Sequence, residues 1–268
     1  MNDDENLLND EEKEEMDSTN KKNPLKYIII VILAILIIGL IIFLVYFFIL
    51  RDKEEEKEKD KCESGYYLVN STCEPYSFMA TYHINDKDEN INLINDRYYP
   101  YIERMYMNNL DIDPIWNYTF SSIGNHKIYF YMNLSTLNST RSLFFNITNM
   151  VSIEFTSKFN TKNIKAMDNF FLLCHSLTSI DLSYLDTSSI TNMVNMFGEC
   201  TSLTSLDLSP LDTSSVQDMS QLFSSCTSLK SLDLNKIDTS KVTNFGNMFY
   251  NCKSLTSLKI SKINIQVL

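Results

Sequence analysis

Four cysteines, Cys174, Cys200, Cys226 and Cys252, recur every 26 residues. Equal spacing strings sulfurs along a ladder, whereas a metal site needs ligands converging on one point. Buried packing accounts for such a column, because free cysteine behaves as a small hydrophobe. Neighbour-to-neighbour disulfides up the ladder are the alternative. The histidines His83, His126 and His175 form no HExxH or paired motif, and no GxSxG is present. The glycines Gly39, Gly65, Gly124, Gly198 and Gly246 supply no phosphate-cradling loop. The chain therefore reads as non-catalytic, with no metal and no cofactor; calcium between the acidic columns has no EF-hand-like spacing behind it.

A second set of chemistry-bearing residues recurs in register with the cysteines. Glu154, Asp181, Asp207, Asp233 and Lys259 form one column, with Ser179, Ser205, Ser231 and Ser257 beside it. On strands these positions point away from the apolar ones, so they form the candidate binding face for a basic or hydroxyl-rich partner. The competing account is that the face only keeps the protein soluble, since it carries no aromatic or arginine anchor. Asp186, Asp212 and Asp238, each followed by Thr and Ser, read as turn and cap chemistry.

Two further groups are consistent with an oxidising, extracellular setting, and a third lies in the acidic tail. Cys62 and Cys73 bracket a short loop and are a candidate disulfide. Asn70, Asn117, Asn133, Asn138 and Asn146 head N-x-S/T sequons and are candidate glycan acceptors. Asp3, Leu7 and Leu8 match an acidic dileucine sorting signal, which chance within an acidic tail would also produce. Trp116 reads as a packed cap residue, with a sugar-binding role as the alternative.

The elements that must position these residues are repeats. Leu177, Leu203, Leu229 and Leu255 form one apolar column; Ile180, Leu206, Leu232 and Leu258 form another, and Leu182, Leu208, Leu234 and Ile260 a third. Alternation of Ile180 and Leu182 with Ser179 and Asp181 predicts a half-buried strand. In the second half of a unit, Val216, Met219, Phe223 and Cys226 fall at i, i+3, i+7 and i+10, which predicts one face of a short helix capped by Asp212 to Ser215. A degenerate unit precedes the good copies: Phe159, Thr161, Ile164 and Met167 keep the register, the strand residues Ile153 and Phe155 have slipped by one, and Thr148 takes the cysteine position. The expected fold is an α/β-type leucine-rich-repeat-like solenoid, strand plus short helix per unit, after a small β-rich region and a single transmembrane helix.

The chain divides by composition into an acidic cytoplasmic tail (1–26), a transmembrane helix (27–50), a charged stalk (51–61), a two-cysteine loop (62–75), a β-rich cap (76–143) and the repeats (144–268). The run from Tyr27 to Leu50 is 24 residues without a charge, and as a helix it would span about 36 Å. It reads as an uncleaved signal-anchor. Counting only flanking Lys and Arg would put the C-terminal side inside; the interleaved acids, the long C-terminal domain and the nearby cysteines favour the N-terminus inside. That predicts a single-pass plasma-membrane protein with a cytoplasmic N-terminus and extracellular repeats. The formal charge of −11, from 34 acidic and 23 basic residues, argues against a nucleic-acid partner.

The repeat, of the form SLTSLDLSxxDTSxVxxMxxMFxxC, closely resembles the BspA-like leucine-rich-repeat surface proteins, in the subgroup with a 26-residue unit. The resemblance covers Phe159 to Ile260, and more weakly reaches back to Asn146. It implies a cell-surface recognition or adhesion role, with an unknown protein or glycan partner and no catalytic residues. The alternative is a structural surface-coat protein that self-associates, as a homo-oligomer, through the ends and flanks of the array.

Overall fold

The computed structural model describes residues 37, 40, 41, 66–69, 72–108 and 110–260. Residues 1–60 and 61–268 form separate compact units. No helix among the described residues is long and apolar enough to cross a membrane, so the expected transmembrane helix is not found among them. Of residues 27–50 only Ile37, Leu40 and Ile41 are described; they are helical and exposed. The acidic tail, the charged stalk and the sorting signal lie outside the described residues.

Twelve strands carry the described part of the second unit. They are β1 (Tyr66–Val69), β2 (Thr72–Pro75), β3 (Phe78–Ile84), β4 (Glu89–Asn92), β5 (Ile102–Met107), β6 (Leu110–Ile112), β7 (Asn117–Phe120), β8 (Gly124–Met132), β9 (Met150–Phe155), β10 (Ser179–Asp181), β11 (Ser231–Asp233) and β12 (Ser257–Lys259). The central sheet runs in the order β10-β9-β3-β8-β5-β6. Every pairing in it is antiparallel except β9 with β10. Period-two alternation explains its two faces. Phe78, Ala80, Tyr82 and Ile84 of β3 and Ile128, Phe130 and Met132 of β8 enter the main core, whereas Met79, Tyr106, Tyr129 and Tyr131 pack with Tyr76 on the other side. Phe78 stacks on Phe130 with ring centroids 4.5 Å apart.

β3 belongs to the N-terminal sheet and β9 to the first repeat strand, so their pairing covers the edge at which the repeats would otherwise begin unpaired. The one-residue slip expected in that first strand is present. Ile153 lies opposite Ile180 and Glu154 opposite Asp181.

Beyond this point the expected α/β solenoid is not found. Apart from the three residues near the N-terminus, the helical elements among the described residues are two 3-10 segments, Asp96–Tyr101 and Leu234–Lys236. The strand column is also broken: β10 belongs to the central sheet, β11 and β12 form a separate pair, and Thr204 to Leu208 is no strand. The fold is β-sheet and turns. Val216, Met219, Phe223 and Cys226 are all buried, as their spacing requires, but on turns instead of a helix.

The reason lies in the backbone. Asn169, Leu173, Asn195, Glu199, Gln221, Ser225, Asn247 and Asn251 all have φ between 56° and 65°. An L-residue in that region interrupts a right-handed helix. Alternate amides instead reach across to the next unit: Met193, Asn195, Phe197 and Glu199 donate to the carbonyls of Asp218, Ser220, Leu222 and Ser224 at 2.7–3.0 Å. Parallel bridges continue the line through Ser139, Ala166, Asn192, Asp218 and Asn244. An amide committed to its neighbour in the next unit cannot also close an α-helical turn.

Side chains reinforce this turn-side ladder. Phe144, Phe171, Phe197, Phe223 and Phe249 stack successively, with centroids 5.4–5.8 Å apart and planes within 17°. The column Thr161, Thr187, Thr213 and Thr239 is buried, and the hydroxyls of the first three donate to the carbonyls of Asp186, Asp212 and Asp238 at 2.8–2.9 Å.

Candidate functional site

The candidate face is built by the strand half of each unit, where the apolar alternates are drawn into the core and leave the polar ones outside. Glu154, Ser179, Asp181, Ser205, Asp207, Ser231, Ser257 and Lys259 are exposed, and Asp233 is half-buried. They do not form one uninterrupted column. Glu154 and Asp181 are opposite one another on β9 and β10, and Asp233 and Lys259 are opposite on β11 and β12. Asp207 sits between these pairs on a segment without strand pairing.

Each central carboxylate is also part of a local turn. Oδ1 of Asp181, Asp207 and Asp233 accepts the backbone N–H two residues on, from Ser183, Ser209 and Asn235, at 2.9–3.0 Å. The Ser209 N–H, with its hydroxyl, holds the Asp207 carboxyl below the usual carboxylate range. At the exposed Asp181 and Asp207 the second oxygen is left outside this turn bond, whereas at half-buried Asp233 it faces Lys259. Lys259 Nζ lies 3.6 Å from Asp233 Oδ2, an exposed pair that contributes about 0–1 kcal/mol.

The second acidic column makes the same turn. Asp186, Asp212 and Asp238 accept the N–H of Ser188, Ser214 and Ser240 at 2.8–3.1 Å. The Ser214 hydroxyl, then its N–H, lowers the Asp212 carboxyl. These residues start turns, not helices.

The repeat cysteines are free thiols. Cys174, Cys200 and Cys226 are buried, and each thiol donates to a carbonyl of the preceding phenylalanine column: Phe144, Phe171 and Phe197 at 3.0–3.4 Å. Cys252 is half-buried and donates to Phe223 at 3.0 Å. Burial pushes the thiols of Cys174 and Cys226 up to about 12. A thiol held in its neutral form is a poor nucleophile and a poor metal ligand. No cluster of His, Cys, Asp or Glu able to hold a metal occurs among the described residues.

Cys73 is disulfide-bonded, and the four repeat cysteines are free; the partner expected for Cys73, Cys62, lies outside the described residues. Among the sequons, Asn133, Asn138 and Asn146 are exposed, Asn117 is half-buried in β7, and Asn70 lies outside the described residues. Trp116 is 37 % exposed, more open than a packed cap residue. His83 Nδ1 lies 2.7 Å from Asn125 Oδ1, and His126 Nε2 lies 2.9 Å from the Ser122 carbonyl oxygen, so both rings serve local structure.

One earlier unit escapes sequence reading. Phe144 stacks on Phe171, and the Cys174 thiol meets the Phe144 carbonyl as that of Cys200 meets Phe171. The offset is again one longer than 26, which places Ile147, not Thr148, at the cysteine position; Ile147 is 1 % exposed and Thr148 is exposed. Carrying that single slip back through the sequence would have found it. The residues Arg97, Arg141 and Lys165, which line a shared hollow, carry no common spacing that a sequence could show.

Residues 138–263 match the model of a family described as Mycoplasma protein of unknown function, DUF285. The matched segment begins one residue before Ser139, the first member of the parallel bridge line. The DUF285 match thus coincides with the stacked units and leaves out most of the N-terminal sheet. No curated protein and no solved structure matches the chain.

Proposed function

We propose that this chain is a non-catalytic recognition or adhesion protein displayed at a cell surface, whose repeat face meets a protein or glycan partner. The observation that carries the reading is the recurrence of one Asp turn, at the exposed Asp181 and Asp207 and the half-buried Asp233, with exposed serines beside each. Turn hydrogen bonds at Asp181, Asp207 and Asp233 fix the direction of each carboxylate, which lowers the ordering cost of binding. The DUF285 match and the 26-residue resemblance to BspA-like surface proteins support the same class.

Two measurements test it. Protease added to intact producing cells should cleave the repeats. The triple variant Asp181→Asn, Asp207→Asn, Asp233→Asn keeps an oxygen for each turn bond but removes the charge; adhesion of cells or coated beads to surfaces bearing basic proteins should fall while the far-UV spectrum is unchanged. Repeats protected in intact cells, or adhesion equal to wild type, would reject the reading.

A structural coat is the second reading, and the exposed aromatic side chains of Tyr184 and Tyr250, 50 % and 65 % exposed, favour it. Concentration-dependent self-association that Tyr250→Glu abolishes, with no adhesion to any surface, would favour the coat.

A further inference from the structure

A hollow of about 560 Å³ opens where the N-terminal sheet meets the first stacked unit. That volume lies within the ~300–1,000 Å³ range of small-ligand pockets. Its charged lining is Arg97, Arg141 and Lys165, with Tyr98, Tyr101 and Leu137 supplying apolar surface. Three cations so placed are unusual in a chain of net charge −11. The carboxylate facing this group is Asp168, buried beside Arg141 with Nε 2.5 Å from Oδ2; Lys165 and Arg97 form no ion pair among the described residues. The hollow therefore keeps a net positive charge.

Its walls are fixed by backbone bonds. Lys165 N–H donates to the Asn138 carbonyl at 2.7 Å, Thr140 N–H to the Ala166 carbonyl at 3.0 Å, and Ser142 N–H to the Asp168 carbonyl at 3.0 Å. The Tyr98 hydroxyl donates to the Arg141 carbonyl at 2.7 Å, and burial pushes that phenol up to about 12, so it stays a neutral donor. The Tyr98 and Tyr101 rings are 6.3 Å apart and tilted by 49°, forming a rigid apolar corner beside the cations.

We propose that this hollow binds an acidic saccharide unit, a six-membered sugar ring carrying a carboxylate or a sulfate. Arginine forks match the planar geometry of a carboxylate and the tripod of a sulfate. Tyr101 and Leu137, half-buried and backed by the buried Tyr98, match the C–H face of a sugar ring, and the exposed Asn138 amide offers groups for its hydroxyls. A bare anion would leave the apolar wall unused. A long polyanion would meet the repulsion of the acidic protein around the hollow. The site is separate from the exposed strand face and stands whether or not that face binds a partner.

The test is a calorimetric titration of the full chain produced in a host without N-glycosylation, because Asn138, a sequon residue, lines the same hollow. The probes are methyl glucuronide, glucose 6-sulfate, glucose and inorganic sulfate. At least one acidic sugar should bind saturably, glucose should not bind, and sulfate alone should bind at least tenfold more weakly. The preferred acidic sugar identifies which acid the site takes. Arg97→Gln and Lys165→Gln, both at exposed positions, should each weaken binding roughly tenfold, the scale of one charge-assisted hydrogen bond, without changing Tm. Failure of both acidic sugars, equal binding of glucose or of sulfate, or unchanged affinity in both variants would overturn the proposal.

Discussion

Arg141 Nε lies 2.5 Å from Asp168 Oδ2, an ion pair whose acidic half is buried and whose basic half is 55 % exposed. Asp168 Oδ1 has no hydrogen-bond partner among the described residues. The pair ties the first stacked unit to the second, and it is asymmetric in what each side loses.

Removing the arginine strands a buried carboxylate, whereas removing both charges does not. Arg141→Ala should destabilise the fold by about 1–3 kcal/mol, and Arg141→Ala with Asp168→Asn should recover part of that loss. Urea midpoints of the two single variants and the double variant check it. A double variant as unstable as the sum of the singles would show that the two charges are uncoupled.

The buried threonines make unequal bonds. Thr187 donates one hydrogen bond, to the Asp212 carbonyl, whereas Thr213 donates to the Asp238 carbonyl and also accepts the Asp238 N–H at 2.8 Å. Thr213→Val should therefore cost more than Thr187→Val, by roughly 1 kcal/mol for the extra bond. Chemical denaturation of the two variants side by side measures the difference.

The phenylalanine stack should be tightest in its middle. Phe197 is fully buried between Phe171 and Phe223, and Phe249 is half-buried with one stacking neighbour described. Phe197→Ala should cost about 3–5 kcal/mol, and Phe249→Ala clearly less. Equal losses at the two positions would contradict this gradient.

The cysteine column predicts alkaline sensitivity. Burial pushes Cys174 and Cys226 from 9.0 up to about 12. The unfolded chain releases these protons first, so their contribution is fully present below pH 9 and is lost as pH rises from 9 to about 12. Each thiol then contributes a slope of about 1.4 kcal/mol per pH unit within that window. Cys226→Ala should flatten the stability profile above pH 9, and native alkylation should label half-buried Cys252 before the other three.

The apolar columns were legible because burial follows side-chain type: Leu177, Leu203, Leu229 and the cysteines lie where their spacing puts them. Secondary structure in the second half of each unit was not. Spacing of i, i+3, i+7 and i+10 satisfies a helix, but it is equally satisfied by successive turns with left-handed residues at Asn195 and Glu199. The preference for turns arises from amides bonding between units, a tertiary effect that a window of residues does not contain. The strand positions of Glu154 and Asp181 were readable through alternation, yet the gap at Asp207 was not, since LTSLDLS has nearly the same letters as its paired neighbours. The basic hollow was invisible because its residues come from a 3-10 segment and two successive stacked units.

The bridge line from Ser139 to Asn244 joins each unit only to the one before and the one after. Copying or excising a whole 26-residue block in its middle would leave both neighbours with the same partners they have now. The strand that covers the first edge, β3, would be untouched. The distance from that edge to the last unit is therefore set by copy number, which gives such a chain a way to vary its reach by unequal recombination without redesigning a fold.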